Sequence, residues 1–242
     1  MRVLATLNAR HTAVPGIRAV VSDNQLSLDI YGNIGASFWD DGVSVADIAA
    51  QLSAARGVSG VTVRINSPGG NCFDGVAIYN LLKSFPAPVT TIVDGLAASA
   101  ASLIAMAGDT VRMGRGTMLM IHPAMIMAYG DSAEMRSAAD ILDKVTGQMA
   151  EIYAAKTKKS TDDLTAMMYA ETWMSADDAV EGGFADEVAQ EDGDPLGIAA
   201  NYDLSVFAKV PESLKIFQAE ANTKVPSGKF AAQVRLRTLE LM

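Results

Sequence analysis

The stretch from Val89 to Gly108 is the most apolar part of the chain, and its length approaches that of a membrane span. Asp94, Ser99 and Ser102 interrupt it, and a charge or hydroxyl in hydrocarbon is expensive. The stretch therefore divides into a buried strand, Val89 to Val93, and a small-residue helix, Ala97 to Ala107, ended by Gly108. A buried strand that runs straight into a buried helix is the signature of an α/β layered core.

The rest of the chain repeats this alternation. Gln25 to Tyr31 alternates apolar and polar residues as a strand does, and so do Val61, Val63 and Ile65. Val45, Ile48, Leu52 and Ala55 recur at helical spacing before Gly57. A second helix is expected from about Asp74 to Ser84, ended by Pro86 and Pro88. Thr110 to Met113 and Met118 to Ile121 read as short strands around Gly114-Arg115-Gly116. Asp131 with Glu134, Ser160 with Asp163, and Ser175 with Asp178 each mark a helix start. The helix begun at Asp131 is long, running to about Lys158, with Met135, Leu142, Val145, Met149 and Ile152 near one face. Phe184 to Val188 reads as a last strand. The expected fold class is α/β with a largely parallel sheet. The expected organisation is an irregular segment 1–20, a core domain 21–190, a linker 191–197 and an extension 198–242 that carries Lys229, Arg235 and Arg237.

The chain has 242 residues and a formal net charge of −9. Such a balance argues against coating nucleic acid, which needs clustered Lys and Arg. Cys72 is the single cysteine, so no intramolecular disulfide forms. The start has no long apolar core, and no secretory signal or membrane span is expected. There is no P-loop motif, no cofactor motif and no metal-ligand pattern.

Amide hydrolysis needs a nucleophile, a base, a group that orients the base, and donors for the oxyanion. The two histidines limit the base to His11, in the irregular start, or His122, at the end of a predicted strand in Met120-Ile121-His122-Pro123. Strand ends face the crevice where α/β proteins bind ligands, which favours His122. Ser99 follows a strand and a glycine turn and opens a helix, where free N–H groups favour a developing oxyanion. Read alone, it could equally be a helix cap, and Ser102 one turn later would point into the core. Ser67-Pro68-Gly69-Gly70 breaks a strand with two glycines whose backbone can approach a ligand closely.

The order Ile65-Asn66-Ser67-Pro68-Gly69-Gly70, then Gly95-Leu96-Ala97-Ala98-Ser99, then Met120-Ile121-His122-Pro123 resembles the Clp protease proteolytic subunit family. The resemblance runs from about Leu26 to Val188 and includes Lys144 to Met149 and Trp173 to Asp186. It implies a Clp/crotonase-like layered fold with repeated ββα units, a long oligomerisation helix and a C-terminal extension. It implies Ser99 as nucleophile, His122 as general base, and the amides of Gly70 and Ala100 as oxyanion hole. It places the substrate as an added strand beside Gly69, Pro123, Ala124 and Met125. The family's third triad member is an aspartate, and the matching position here is Glu171, with Asp162 and Asp163 as alternatives. Cys72 receives no catalytic role.

The loop Gly32 to Gly42, a slightly short span from Ser99 to His122 and the chain beyond residue 190 resemble the Clp-related head maturation peptidases of tailed phages and prophages. That branch implies polypeptide substrates, namely scaffold or capsid-protein segments, and a homo-oligomeric ring. The setting would be the host cytoplasm or the procapsid. Three rivals remain: a cellular Clp subunit fed unfolded chains by an ATP-driven unfoldase, a catalytically degenerate capsid-assembly protein, and an acyl-CoA enzyme of the crotonase superfamily.

Overall fold

The computed structural model describes residues 16–35, 42–189, 202, 204–212 and 214. An antiparallel hairpin opens the fold, β1 (Gly16–Ser22) on β2 (Gln25–Tyr31), turned by Asp23 and Asn24 at positive φ. Helix α1 (Val45–Ala54) follows, then β3 (Gly60–Ser67), α2 (Cys72–Lys83), β4 (Val89–Ala98), α3 (Ala100–Ala105), β5 (Thr110–Met113) and β6 (Met118–Ile121). The long helix α4 (Ser132–Thr157), α5 (Thr161–Tyr169), β7 (Thr172–Ser175), α6 (Ala176–Glu181) and β8 (Glu187–Val188) complete it. Two ββα units, β1-β2-α1 and β5-β6-α4, thus flank two βα units.

The sheet runs β1-β2-β3-β4-β5-β8, parallel from β2 onward, with β6 branching from β4 and β7 antiparallel to β6. It is the mixed α/β fold with mostly parallel strands that the alternation predicts. One face of the sheet is the core. Leu26, Leu28 and Ile30 of β2, Val61, Val63 and Ile65 of β3, and Val93 of β4 are buried there, together with Ile48, Leu52, Ile78, Leu82 and Leu103 from the helices. Each such side chain contributes about 1.5–3 kcal/mol by leaving water. The opposite face is half exposed and polar. Asp94, the charge that interrupts the apolar stretch, sits on that face, where Tyr31 Oη donates to it at 2.7 Å and Arg64 Nε at 2.9 Å.

Strands β2, β5 and β6 have the predicted bounds, and α4, α5 and α6 start at the predicted caps, while α1 carries the predicted helical spacing and is capped by Ser44. Four expectations are corrected. Residues 16–20 are strand, because the half-exposed edge strand β1 takes its order from pairing with β2 rather than from a pattern of its own. The helix expected from Ala97 starts at Ala100, because β4 continues to Ala98 to pair with β6. Helix α2 starts at Cys72, since the Asn71 side chain caps it by accepting from the N–H groups of Phe73 and Asp74. The final strand shrinks to Glu187–Val188, and Phe184 serves as core. Strand β7 was not foreseen.

The chain separates into two compact units, 1–198 and 199–242. In the second, Leu204 and Phe207 are buried and joined by a backbone hydrogen bond of 3.0 Å. His11, residues 36–41 of the loop, the linker 191–197 and the cluster Lys229, Arg235 and Arg237 lie outside the described residues. Among the described residues no helix is long and apolar enough to cross a membrane.

Candidate active site

Strand β4 forks. Thr90–Val93 pairs with β5, and Leu96–Ala98 pairs with β6. The residue after β4, Ser99, and the residue after β6, His122, therefore leave neighbouring parallel strand ends. The Ser99 N–H donates to the Met120 carbonyl at 2.9 Å, which fixes the two ends against each other. His122 Nε2 lies 2.7 Å from Ser99 Oγ. Strand β7 returns antiparallel along β6 with Ile121 opposite Thr172, so the next pair in the register is His122 and Glu171.

Ser99 has φ 54° and ψ −124°, a backbone conformation that a residue with a side chain rarely adopts. Such strain costs about 1–3 kcal/mol and collects at functional sites. A sharp strand-to-helix turn of this kind exposes the nucleophile in α/β-hydrolase folds. Ser99 makes no side-chain cap bond, so the plain-cap reading does not hold. Its carbonyl is held instead by Ser102, through the N–H at 2.9 Å and the hydroxyl at 2.6 Å. Ser102 has spent its single proton on that bond, so Tyr153 Oη, 2.8 Å away, must donate to it. Tyr153 is fully buried on α4, edge-on to Phe184. Tyr153→Phe is expected to cost about 1–2 kcal/mol by leaving the Ser102 oxygen short of a donor, measured by urea unfolding.

The loop from Asn66 to Gly70 shapes the other wall. Asn66 Oδ1 accepts from the Leu96 N–H at 3.1 Å, and Ser67 Oγ from the Gly69 N–H at 3.0 Å. Gly69 and Gly70 have φ 96° and 143°. A Cβ on Gly69 would stand 2.7 Å from Ser99 Cβ, so the glycine lets the loop lie directly against the serine. Ile34 N donates to the Gly69 carbonyl at 2.7 Å, and Asn71 N donates to the Ile34 carbonyl at 2.9 Å. These bonds flank Gly70 and leave its own N–H turned away from Ile34. The Gly69 N–H and carbonyl each make one bond within this wall, which holds the glycine close against Ser99.

His122 is 6% exposed. Burial holds its pKa below the ordinary 6.5, and the negative charge of Glu171 opposes that shift in part. The carboxylate acting on the histidine is thus Glu171. Asp162 and Asp163 sit exposed in the first turn of α5, where Asp163 is engaged with Ser160. For His122 to act as a base it must be neutral, and in that role it gives an activity that falls with an acid-limb midpoint below 6.5. A folded-state pKa below the unfolded one also means that this residue's share of stability is lost as pH falls beneath the unfolded value. A rate profile from pH 4 to 9 checks the first statement. Cys72 is half-buried at the start of α2, and burial pushes its thiol up, away from the thiolate that nucleophilic attack needs.

Beyond His122, Ala124 gives its N–H to Thr146 Oγ1 at 3.1 Å. Met125, Ile126, Met127 and Tyr129 then form an exposed apolar strap leading into α4. Sequence reasoning missed one participant, Trp173, whose indole N–H donates to Glu171 Oε1 at 3.1 Å. A donor side chain two residues from a carboxylate was the available signal.

The family model described as Clp protease matches residues 40–192. An ATP-dependent Clp protease proteolytic subunit of Pleurastrum terricola is 35% identical, over 53% of this chain and 67% of its own length. The subunit of that name from Bacteroides fragilis is 32% identical, over 53% of this chain and 63% of its own length. A solved ClpP1 variant from Listeria monocytogenes superposes with a TM-score of 0.60 at 22% identity, covering 69% of this chain and 92% of its own, which is a likeness of fold. With the family model spanning well over half of the sequence, the chain belongs to the Clp protease family, a family of serine-type peptidases.

Proposed function

We propose that Ser99, His122 and Glu171 act as a catalytic triad for cutting polypeptides, with the N–H groups of Gly70 and Ala100 as oxyanion hole. The observation that carries this reading is the 2.7 Å contact between Ser99 Oγ and His122 Nε2, made by a serine at positive φ. His122 Nε2 takes the hydroxyl proton as Oγ attacks the substrate carbonyl carbon. The carbonyl oxygen becomes an oxyanion beside the two amides. Glu171 stabilises the imidazolium, which then protonates the leaving amine. Water, deprotonated by the same histidine, releases the acyl group from Ser99.

The substrate class is an extended polypeptide lying along the Pro123–Met125 segment. The apolar strap and the neighbouring half-buried face of α4, with Met135, Leu142 and Val145, suit self-association into a ring. The particular role is head maturation of the phage or prophage type, cutting scaffold or capsid-protein segments. It is supported by the loop after Ile30, by the slightly short span from Ser99 to His122 and by the long extension beyond residue 190. The names of the relatives favour a second reading, a cellular subunit supplied by an ATP-driven unfoldase.

A fluorophosphonate probe should label the pure protein on Ser99, mapped by peptide mass spectrometry. Persistence of the label in Ser99→Ala would overturn the assignment. Incubation with a tailed-phage scaffold or capsid protein, without nucleotide, separates the two roles. Cleavage is expected for the first role, and a strict need for an ATPase partner for the second.

A further inference from the structure

The third position departs from the family's aspartate by one methylene, and that methylene adds a torsion. A glutamate spreads its carboxylate over more positions than an aspartate on the same backbone and loses more entropy when held in one of them. Glu171 has φ 50° and ends the turn that leads into β7. Its backbone N–H is held by the Met168 carbonyl at 2.9 Å, so the start of the side chain is fixed and the freedom lies in its outer torsions. Two residues on, with the alternation of a strand, Trp173 projects its half-buried ring on the same side. Its backbone is set by pairing with Met120 in β6, and its indole Nε1–H donates to Glu171 Oε1 at 3.1 Å. An indole is a donor only, with two side-chain torsions, so it makes a stiff tether.

We infer that Trp173 is a positioning residue that makes glutamate serviceable in this triad, its indole N–H holding the Glu171 carboxylate in the arrangement that faces His122. The inference rests on the triad reading above. In that reading Trp173 is not one of the reacting groups and bears on them through its bond to Glu171. His122 meets Ser99 from the β4–α3 turn and Glu171 from the start of β7, while α4 brings the neutral Thr146 to the adjoining Ala124. Asp94 of β4 is committed on the other sheet face to Arg64 and Tyr31. Loosening the Glu171 carboxylate therefore weakens the field that raises the pKa of His122.

The test measures the rate constant of fluorophosphonate inactivation against pH for the full chain, Trp173→Phe, Glu171→Gln and the double variant. Trp173→Phe keeps a ring and removes the donor. It is expected to slow inactivation about 10-fold, the scale of one lost hydrogen bond, and to move the acid limb to lower pH. In the Glu171→Gln background the same change should cost less than about 2-fold, because coupled residues are not additive. The limb is a property of the molecules that react, so partial misfolding leaves it in place. An unmoved limb in Trp173→Phe, or equal losses in both backgrounds, overturns the inference. A Glu171→Gln protein with the parent's rate and limb overturns the triad reading beneath it, which is a distinguishable result.

Discussion

Ser99→Ala should lower peptide hydrolysis on the order of a million-fold, the scale seen when a triad nucleophile is removed. The loss has a structural basis. Ser99 Oγ is the hydroxyl 2.7 Å from His122 Nε2, and the other nearby hydroxyl, Ser102, is committed to the Ser99 carbonyl and to Tyr153. The residual rate above water would come from the backbone donors and from binding. The fold should survive, because Ser99 makes no cap bond and alanine keeps the same Cβ at the same strained φ. Stability should change by no more than about 1 kcal/mol. A fluorogenic peptide assay beside a urea titration separates the two effects. A variant that keeps a tenth of the parent's rate would place the nucleophile elsewhere.

Gly70→Ala should be the most damaging substitution that leaves the triad side chains in place. Gly70 has φ 143°, and a Cβ there would stand 2.2 Å from the Ile34 carbonyl oxygen and 2.9 Å from the Ile34 nitrogen. Both are backbone atoms, tied to Asn71 N and to the Gly69 carbonyl. The side chain has nowhere to turn, so the loop itself must open. Displacing one oxyanion donor costs about 10²–10³-fold in kcat, and the forced backbone adds about 1–3 kcal/mol of instability. Gly116→Ala supplies the comparison. It also has positive φ, 77°, but a Cβ there meets nothing within 4 Å. It should lose about 1 kcal/mol and keep the parent's kcat. Similar kcat values for the two variants would remove Gly70 from the site.

Much of the fold is legible because its signals are local. The caps at Ser44, Asp131, Ser160 and Ser175 work through bonds to residues two or three positions away. The alternation in Gln25–Tyr31 shows in its burial, with Leu26, Leu28 and Ile30 inward. The misses are elements whose stability is not local. Strand β1 is an edge with Val20 and Val21 exposed, and β7 is four residues long; each exists because another strand offers a ladder. Ser99 lies at the turn the sequence indicates, yet neither its positive φ nor the run of β4 through Ala98 shows in Ala97-Ala98-Ser99-Ala100, where the alanines favour a helix and only the ladder to β6 overrides them.

For the site, the sequence by itself determined which residues could take part. It offered few histidines and one pair of glycines after a strand, and the order of three motifs matched one family. Only the tertiary structure decided that these groups meet. The fork in β4 sets Ser99 beside the end of β6, and the antiparallel register of β7 brings Glu171 opposite His122. Pairing between strands far apart in the chain fixes those positions, since a shift of one residue would turn each side chain to the other face of the sheet. The indole of Trp173 on the Glu171 carboxylate follows from that same register, which a reading of neighbours along the chain does not contain.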